Sequence, residues 1–295
     1  MKVVKVRAYA KINLFLDVLR KRADGYHEVE MIMQGISLHD IITIQPALGI
    51  TIVANSSLIP LDERNLAFQA ARLIIDKFPG ISGVKINIDK NIPVEAGLAG
   101  GSTDAAAVIL GMNKIYNLNL TNADMIELGE LLGSDVPFCT LGSTALASGR
   151  GEIITETALC PLLWVVLVKP PFGVKTKDVY ANFDSFTKKH KPSIKSYIKA
   201  LEVNDISYLL SNTFNALEES TFKLYPSVQL LKEQLINLGA KNILMSGSGP
   251  TIFTLFSSQE EAQKFAQTVK DNYDYQVLLT HTITKENLNE RIEVL

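Results

Sequence analysis

The sequence is poor in several residues that announce a particular chemistry. Two cysteines, Cys139 and Cys160, are too few for a disulfide framework in 295 residues and read as small core residues of a protein in a reducing cytoplasm. Four histidines, His27, His39, His190 and His281, stand far apart and never at a metal-ligating spacing, which argues against dedicated transition-metal chemistry. Long apolar runs are missing too. The longest, residues 162–168, is far short of a membrane span, and Lys5, Arg7 and Lys11 interrupt the start of the chain, so neither a transmembrane helix nor a signal peptide is expected. Charge of one sign is not concentrated either: 29 basic residues are scattered among 31 acidic ones, with only KRADGYH and TKKHKP as local clusters, and nucleic acid is not an expected partner.

What remains is 47% apolar and 20% charged, enough to build one large or two ordinary globular domains. From Val4 to Val18 the even positions are all apolar, a period of two that predicts a long strand with one buried face, while Lys5, Arg7, Tyr9, Lys11 and Asn13 share the other. Further strands are predicted over residues 30–38, 41–45, 50–54 and 84–89, with a helix over 65–78. Helices follow over 102–116 and 123–132, the second capped by Thr121 and closed by Gly133, and Pro137 predicts an extended Val136. Strands over 143–148 and 163–169 bracket Gly149-Arg150-Gly151. Helices are then expected near 193–202, 205–221 and 226–238. The chain closes as strand (242–245), glycine turn (246–250), strand (251–256), helix (260–272) and strand (275–282), an α+β layer on an antiparallel sheet. A domain change is expected near residue 160, giving units of 1–160 and 161–295.

The stretch P-V-E-A-G-L-A-G-G-S-T-D-A-A, residues 93–106, sets glycines and hydroxyls directly before a helix-forming run. Such a turn lets backbone N–H groups approach an anion at the positive end of a helix, which suits a phosphate; a tight packing turn is the other reading. It is not a Walker loop, because no Gly-Lys pair occurs in the chain, and its glycines miss the dinucleotide register.

This stretch resembles the P-x-x-x-G-L-x-G-G-S-S-D-A-A phosphate loop of the galactokinase, homoserine kinase, mevalonate kinase and phosphomevalonate kinase (GHMP) superfamily. Ala99 stands where glycine is frequent and Thr103 where serine is. A-Y-A-K-I-N-L (8–14), R-A-D-G-Y-H-E (22–28) with Q-G-I (34–36), G-S-D-V-P-F (133–138) and S-G-S-G-P (246–250) resemble, in order, its 4-diphosphocytidyl-2-C-methyl-D-erythritol kinase branch. The resemblance implies an α+β, two-domain architecture: an N-terminal ribosomal-protein-S5-like α/β domain, a C-terminal antiparallel-sheet α+β domain and an active site in the cleft between them. It implies ATP as co-substrate with Mg2+, and phosphorylation of the 2-hydroxyl of a cytidine-diphosphate-linked methylerythritol in isoprenoid precursor synthesis. The protein would be a cytoplasmic monomer or homodimer without membrane or nucleic-acid partners. Another small-alcohol kinase of the superfamily, or a silent nucleotide-binding homologue, are the alternatives.

On residues alone, Asp135 is either a turn or capping aspartate or a positioned carboxylate, and Lys11 either a solvated strand lysine or a cleft cation. The resemblance makes Asp135 the catalytic base and Lys11 its partner at the acceptor hydroxyl. It assigns Asn65, Lys90, Pro93, Val94, Glu95, Ala96, Gly97, Leu98, Ala99, Gly100, Gly101, Ser102 and Thr103 to ATP, with Ser102 the candidate magnesium contact. Tyr26 and His27 would take the cytosine by stacking and edge hydrogen bonds, Asn13 would join Lys11 at the substrate, and Thr176 and Tyr180 would form a second wall.

Overall fold

The computed structural model describes residues 2–183 and 191–295. His190 and most of the TKKHKP run lie outside the described residues. The chain opens with two long antiparallel strands, β1 (Val4–Lys21) and β2 (His27–Pro46), joined by a short turn. Residues 30–38 and 41–45, expected as separate strands, are thus one continuous element. β3 (Gly49–Ala54), α1 (Leu66–Lys77), β4 (Gly83–Asp89), α2 (Gly100–Tyr116), α3 (Asn122–Glu130) and α4 (Val136–Leu141) follow, then β5 (Thr144–Ser148) and β6 (Ile153–Glu156). The second half holds β7 (Trp164–Lys169), α5 (Thr176–Ala181), α6 (Ile194–Glu202), α7 (Ile206–Ser211), β8 (Phe214–Asn215), α8 (Glu218–Leu224) and α9 (Pro226–Asn237). It closes with β9 (Ile243–Met245), β10 (Ile252–Phe256), α10 (Gln259–Asn272), β11 (Gln276–His281), α11 (Lys285–Asn289) and β12 (Ile292–Val294).

The strands form two sheets. The first runs β12-β1-β2-β4-β3, with β5 on β2, β6 on β5 and β8 parallel to β1. The second runs β11-β7-β10-β9, all antiparallel. Strand β7 is one of its two interior strands, and Val165 to Val168 are buried without alternation, which accounts for the uninterrupted apolar run. Two late segments, β8 and β12, return to β1, so the first sheet is completed by residues from beyond position 160.

The even positions of β1 do not share one face. Val4, Val6 and Ala8 belong to one apolar cluster, Ala10, Ile12 and Leu14 to another, and Leu16 and Val18 to the first again. The cause is a pair of register shifts against β2, between Tyr9 and Lys11 and between Asn13 and Phe15. An irregularity of this kind re-aims side chains. Here it turns Lys11 and Asn13 towards the side that carries α2, and both are buried rather than solvated.

Two further expectations are corrected. Val136 is not extended: it is the first residue of α4, and Pro137 sits in that helix's opening turn, where its missing N–H costs nothing. Nor is 205–221 one helix. It breaks into α7, β8 and α8 because residues 214 and 215 pair with Phe15 and Leu16, and Asn215 ties the break to the second sheet by donating to the carbonyls of Met245 and Gly247, each at 2.8 Å.

Candidate active site

One cleft of about 1050 Å³ receives side chains from both halves of the chain. The glycine loop forms part of its wall. Ala99, at the N-cap of α2, is left-handed with φ 59°, and its methyl side chain caps nothing. The first hydrogen bond of the helix runs from Thr103 N–H to the Ala99 carbonyl at 2.9 Å, which leaves the N–H groups of Gly100, Gly101 and Ser102 without partners inside the 17-residue helix. Those donors, with the positive helix end, suit a phosphate. Gly97 holds the loop against the glycine turn of the second half. Its φ is +74°, an added Cβ would meet the carbonyl oxygens of Ser246 at 2.4 Å and Gly249 at 2.9 Å, and Ser246 donates its hydroxyl to the Gly97 carbonyl at 2.9 Å.

Lys11 and Asn13 stand beside this clasp. The Lys11 ammonium donates to Asn13 Oδ1 at 2.9 Å and lies 3.7 Å from Asp135 Oδ2, an ion pair too long for a hydrogen bond. Asn13 in turn donates to Met31 Sδ at 3.4 Å. Asp135 occupies the N-cap position of α4 but accepts no capping bond there, so its carboxylate is not committed to the helix. The far end of α4 is held from elsewhere: the buried guanidinium of Arg291 donates to the carbonyls of Cys139, Thr140 and Leu141. Burial lowers its affinity for the proton to a pKa of about 10.

A second lysine closes the floor. Lys90 Nζ is 2.6 Å from Asp40 Oδ2 and 2.7 Å from Asp104 Oδ2, and Asp40 Oδ1 accepts from the N–H groups of Asn91 and Ile92 at 2.6 and 2.8 Å. Asp104 Oδ1 is buried with no partner. Burial, joined by the Asp40 charge and only partly offset by Lys90, raises Asp104 well above the usual carboxylate range. For Lys90, burial works against the charge, but the two carboxylates outweigh it and its pKa is raised. Asn65 caps α1, accepting from Ala67 N–H at 2.9 Å and donating to the Pro60 carbonyl at 2.7 Å, while still lining the cleft.

At the other end, His27 lies 5.4 Å from the Tyr180 ring, and the Tyr26 ring, 56% exposed, carries the Arg150 guanidinium at 5.0 Å. Burial, followed by Lys21, lowers the His27 pKa, so the ring is neutral near pH 7 and offers one donor and one acceptor. Burial first and the Asp135 charge second raise Tyr180, whose phenol keeps its proton. Thr176 shares a 2.8 Å hydrogen bond with Ser248 of the glycine turn. Of the residues singled out in the sequence, only Leu98 and Thr103 do not line the cleft. Leu98 packs in the apolar cluster, its carbonyl accepting from Lys11 N–H at 3.2 Å, and Thr103 donates its hydroxyl to the Tyr9 carbonyl at 2.6 Å. Arg150, Asp40, Asp104, Ser134, Gly247 and Ser248 were not foreseen. Gly-Arg-Gly and Ser-Gly-Ser were visible as motifs, whereas Asp40 carried no signal.

The sequence matches the models for the GHMP kinases N terminal domain over residues 65–143 and GHMP kinases C terminal over 197–274. A 4-diphosphocytidyl-2-C-methyl-D-erythritol kinase of Clostridium botulinum is 45% identical over 281 residues, covering 95% of this chain and 100% of the relative. The chain belongs to this kinase family. A second member, from Geobacillus thermodenitrificans, is 48% identical over 264 residues, 88% of this chain and 91% of its own length. A crystal structure of 4-(cytidine 5'-diphospho)-2C-methyl-D-erythritol kinase superposes with a TM-score of 0.80 at 30% identity, covering 95% of this chain and 99% of the other. A homoserine kinase from Cytophaga hutchinsonii shares the fold, with a TM-score of 0.75 at 19% identity and coverages of 100% and 97%. As a GHMP kinase, this family member is a phosphotransferase with an alcohol acceptor and ATP as co-substrate. Among its described residues no helix is long and apolar enough to cross a membrane.

Proposed function

We propose that the protein transfers the γ-phosphoryl group of ATP to the 2-hydroxyl of 4-diphosphocytidyl-2-C-methyl-D-erythritol, in the cytoplasm, as a step of isoprenoid precursor synthesis. The observation that carries this reading is the pairing of Lys11 with Asp135 between an uncapped helix N-terminus on one side and the Tyr26–His27 segment on the other. The family relationship supports the same substrate.

In the proposed reaction the substrate hydroxyl lies between Asp135 and Lys11. Asp135 accepts its proton as the oxygen bonds to the γ-phosphorus and the bond to ADP breaks. Lys11, oriented by Asn13, stabilises the negative charge on the transferred group. The N–H groups of Gly100, Gly101 and Ser102 hold the nucleotide phosphates. Tyr26 supplies a stacking face for cytosine, and neutral His27 a donor and an acceptor for its edge.

Magnesium fits this site as a companion of the nucleotide. Among the described residues no three His, Cys, Asp or Glu side chains form a metal cage, which suits a cation that keeps waters and phosphate oxygens as ligands. Ser102, whose hydroxyl has no hydrogen-bond partner among the described residues, would be the contact from this chain. When bound there, the ion would neutralise negative charge on the nucleotide phosphates during transfer.

The test is ADP release with the cytidine-linked substrate, homoserine and mevalonate in parallel. Turnover confined to the first is expected; equal turnover with homoserine or mevalonate moves the protein to another branch of the superfamily.

A further inference from the structure

The turn between β5 and β6 carries a cation that the phosphoryl transfer itself does not use. Gly149 and Gly151 flank Arg150 with φ of +72° and +108°, both in the region that favours glycine. The turn is fixed on three sides. Val29 N–H donates to the Gly149 carbonyl at 2.8 Å. Glu152 accepts from Arg150 N–H at 2.6 Å and from its Nε at 3.4 Å. Gly151 packs where an added Cβ would lie 2.9 Å from Met31 Cε and 3.8 Å from Ser134 Cβ, beside Asp135. The guanidinium is projected into the cleft, 5.0 Å from the centre of the Tyr26 ring, and its two terminal amino groups make no hydrogen bond among the described residues.

The turn thus sets the Arg150 guanidinium over an exposed aromatic face, while its next residue, Gly151, lies against Ser134, the neighbour of the Asp135 carboxylate. A cytidine-diphosphate-linked alcohol has its parts in that order: base, ribose, diphosphate, polyol. Other cations nearby are already engaged, Lys90 by two carboxylates and Arg22 by Asp24 and Glu28. Lys21 and Lys177 also line the cleft, but a single ammonium does not match two phosphate oxygens as a planar fork does. We infer that Arg150 receives the diphosphate of the acceptor substrate while stacked on Tyr26, so that this turn selects a nucleoside diphosphate over a nucleoside. The inference rests on the cytidine reading proposed above and adds to it a residue and a chemical selectivity.

The test is calorimetric titration of the whole protein with cytidine and with CDP, its ATP site filled by a non-hydrolysable ATP analogue. Wild type is expected to hold CDP about ten- to hundredfold more tightly than cytidine, the scale of hydrogen bonds to a charged group. Arg150→Gln should abolish most of that preference while changing cytidine affinity by less than about threefold. Arg150→Lys should keep part of it, and unchanged melting temperature and analogue affinity in both variants exclude a folding defect. An Arg150→Gln protein that keeps the wild-type CDP-to-cytidine ratio overturns the inference, as does one that loses both ligands equally, since Arg150 would then only prop Tyr26. Wild type that binds cytidine with no gain from the diphosphate overturns this inference alone; wild type that binds neither overturns the cytidine reading and this inference together.

Discussion

Two lysines meet carboxylates in the same cleft under opposite conditions. Lys90 lies within 2.7 Å of both Asp40 and Asp104, and none of the three side chains is more than 4% exposed. Lys11 reaches Asp135 only at 3.7 Å, and although Lys11 is 6% exposed, Asp135 is 33% exposed. The first cluster is closed: opening it strands a charge in a poorly solvated interior, so it behaves as a fixed part of the scaffold. The second is slack. Separating the pair by a small distance sacrifices no hydrogen bond, and both groups can turn to a third party placed between them. Packing distance, rather than residue type, separates the lysine that holds the fold from the one suited to chemistry.

Substitutions in each pair can break or sharpen this contrast. Asp135→Asn should lower kcat by ~10²–10⁴-fold in the ADP-release assay, with the melting temperature close to wild type. A variant that melts early instead would make Asp135 part of the scaffold and erase the contrast. Lys90→Met leaves two buried carboxylates facing each other, and should cost about 3–5 kcal/mol of stability in denaturant unfolding. Unaltered unfolding would mean that Asp40 and Asp104 do not depend on the ammonium. Lys11→Met should reduce kcat by about 10²–10³-fold, the scale of one lost electrostatic contact to a transition state, with little change in ATP affinity measured by titration.

The smallest effect expected is that of Asp104→Asn, and it has a pH signature. Because burial raises the Asp104 pKa in the folded protein, the native state binds this proton more tightly than the unfolded chain does. The corresponding stability is fully present below the ordinary carboxylate pKa and is lost as pH rises through the folded value. Melting curves of wild type should therefore shift upward as pH falls from neutral towards the carboxylate range. Asp104→Asn should flatten that shift and melt about 2–4 °C higher near neutral pH. Parallel curves for the two proteins would show that Asp104 carries its charge without penalty.

The two clusters also differed in how far the sequence revealed them. Lys11, Asn13 and Asp135 stood inside short motifs, and the long β1 and the helix behind the glycine loop followed from periodicity. The Lys90 cluster was not legible, because Asp40 lies in β2, Asp104 in α2 and Lys90 just past the end of β4, and the three meet only when those elements pack. Even for β1 the alternation was a partial guide. A constant period of two implies one buried face and left Lys11 either solvated or in the cleft, whereas two of the three register shifts against β2 flank Lys11 and Asn13, and both are buried. Val136 failed for a related reason: the steric rule for a residue before proline was outweighed by a helix that could begin there. Arg150 was visible between two glycines, but its place over Tyr26 depends on a turn anchored to β2.

Arg291 grips the last carbonyls of α4, and β12 lies against β1 immediately after it. Protein synthesis reaches Arg291 long after Asp135, so a nascent chain already carries every residue proposed for the reaction while the helix behind Asp135 still has a free end. Arrival of residues 291–294 then fastens the helix that follows Asp135. A protein lacking residues 291–294 would keep the glycine loop but hold Asp135 on an unsecured mount, a state in which nucleotide can be bound without being spent.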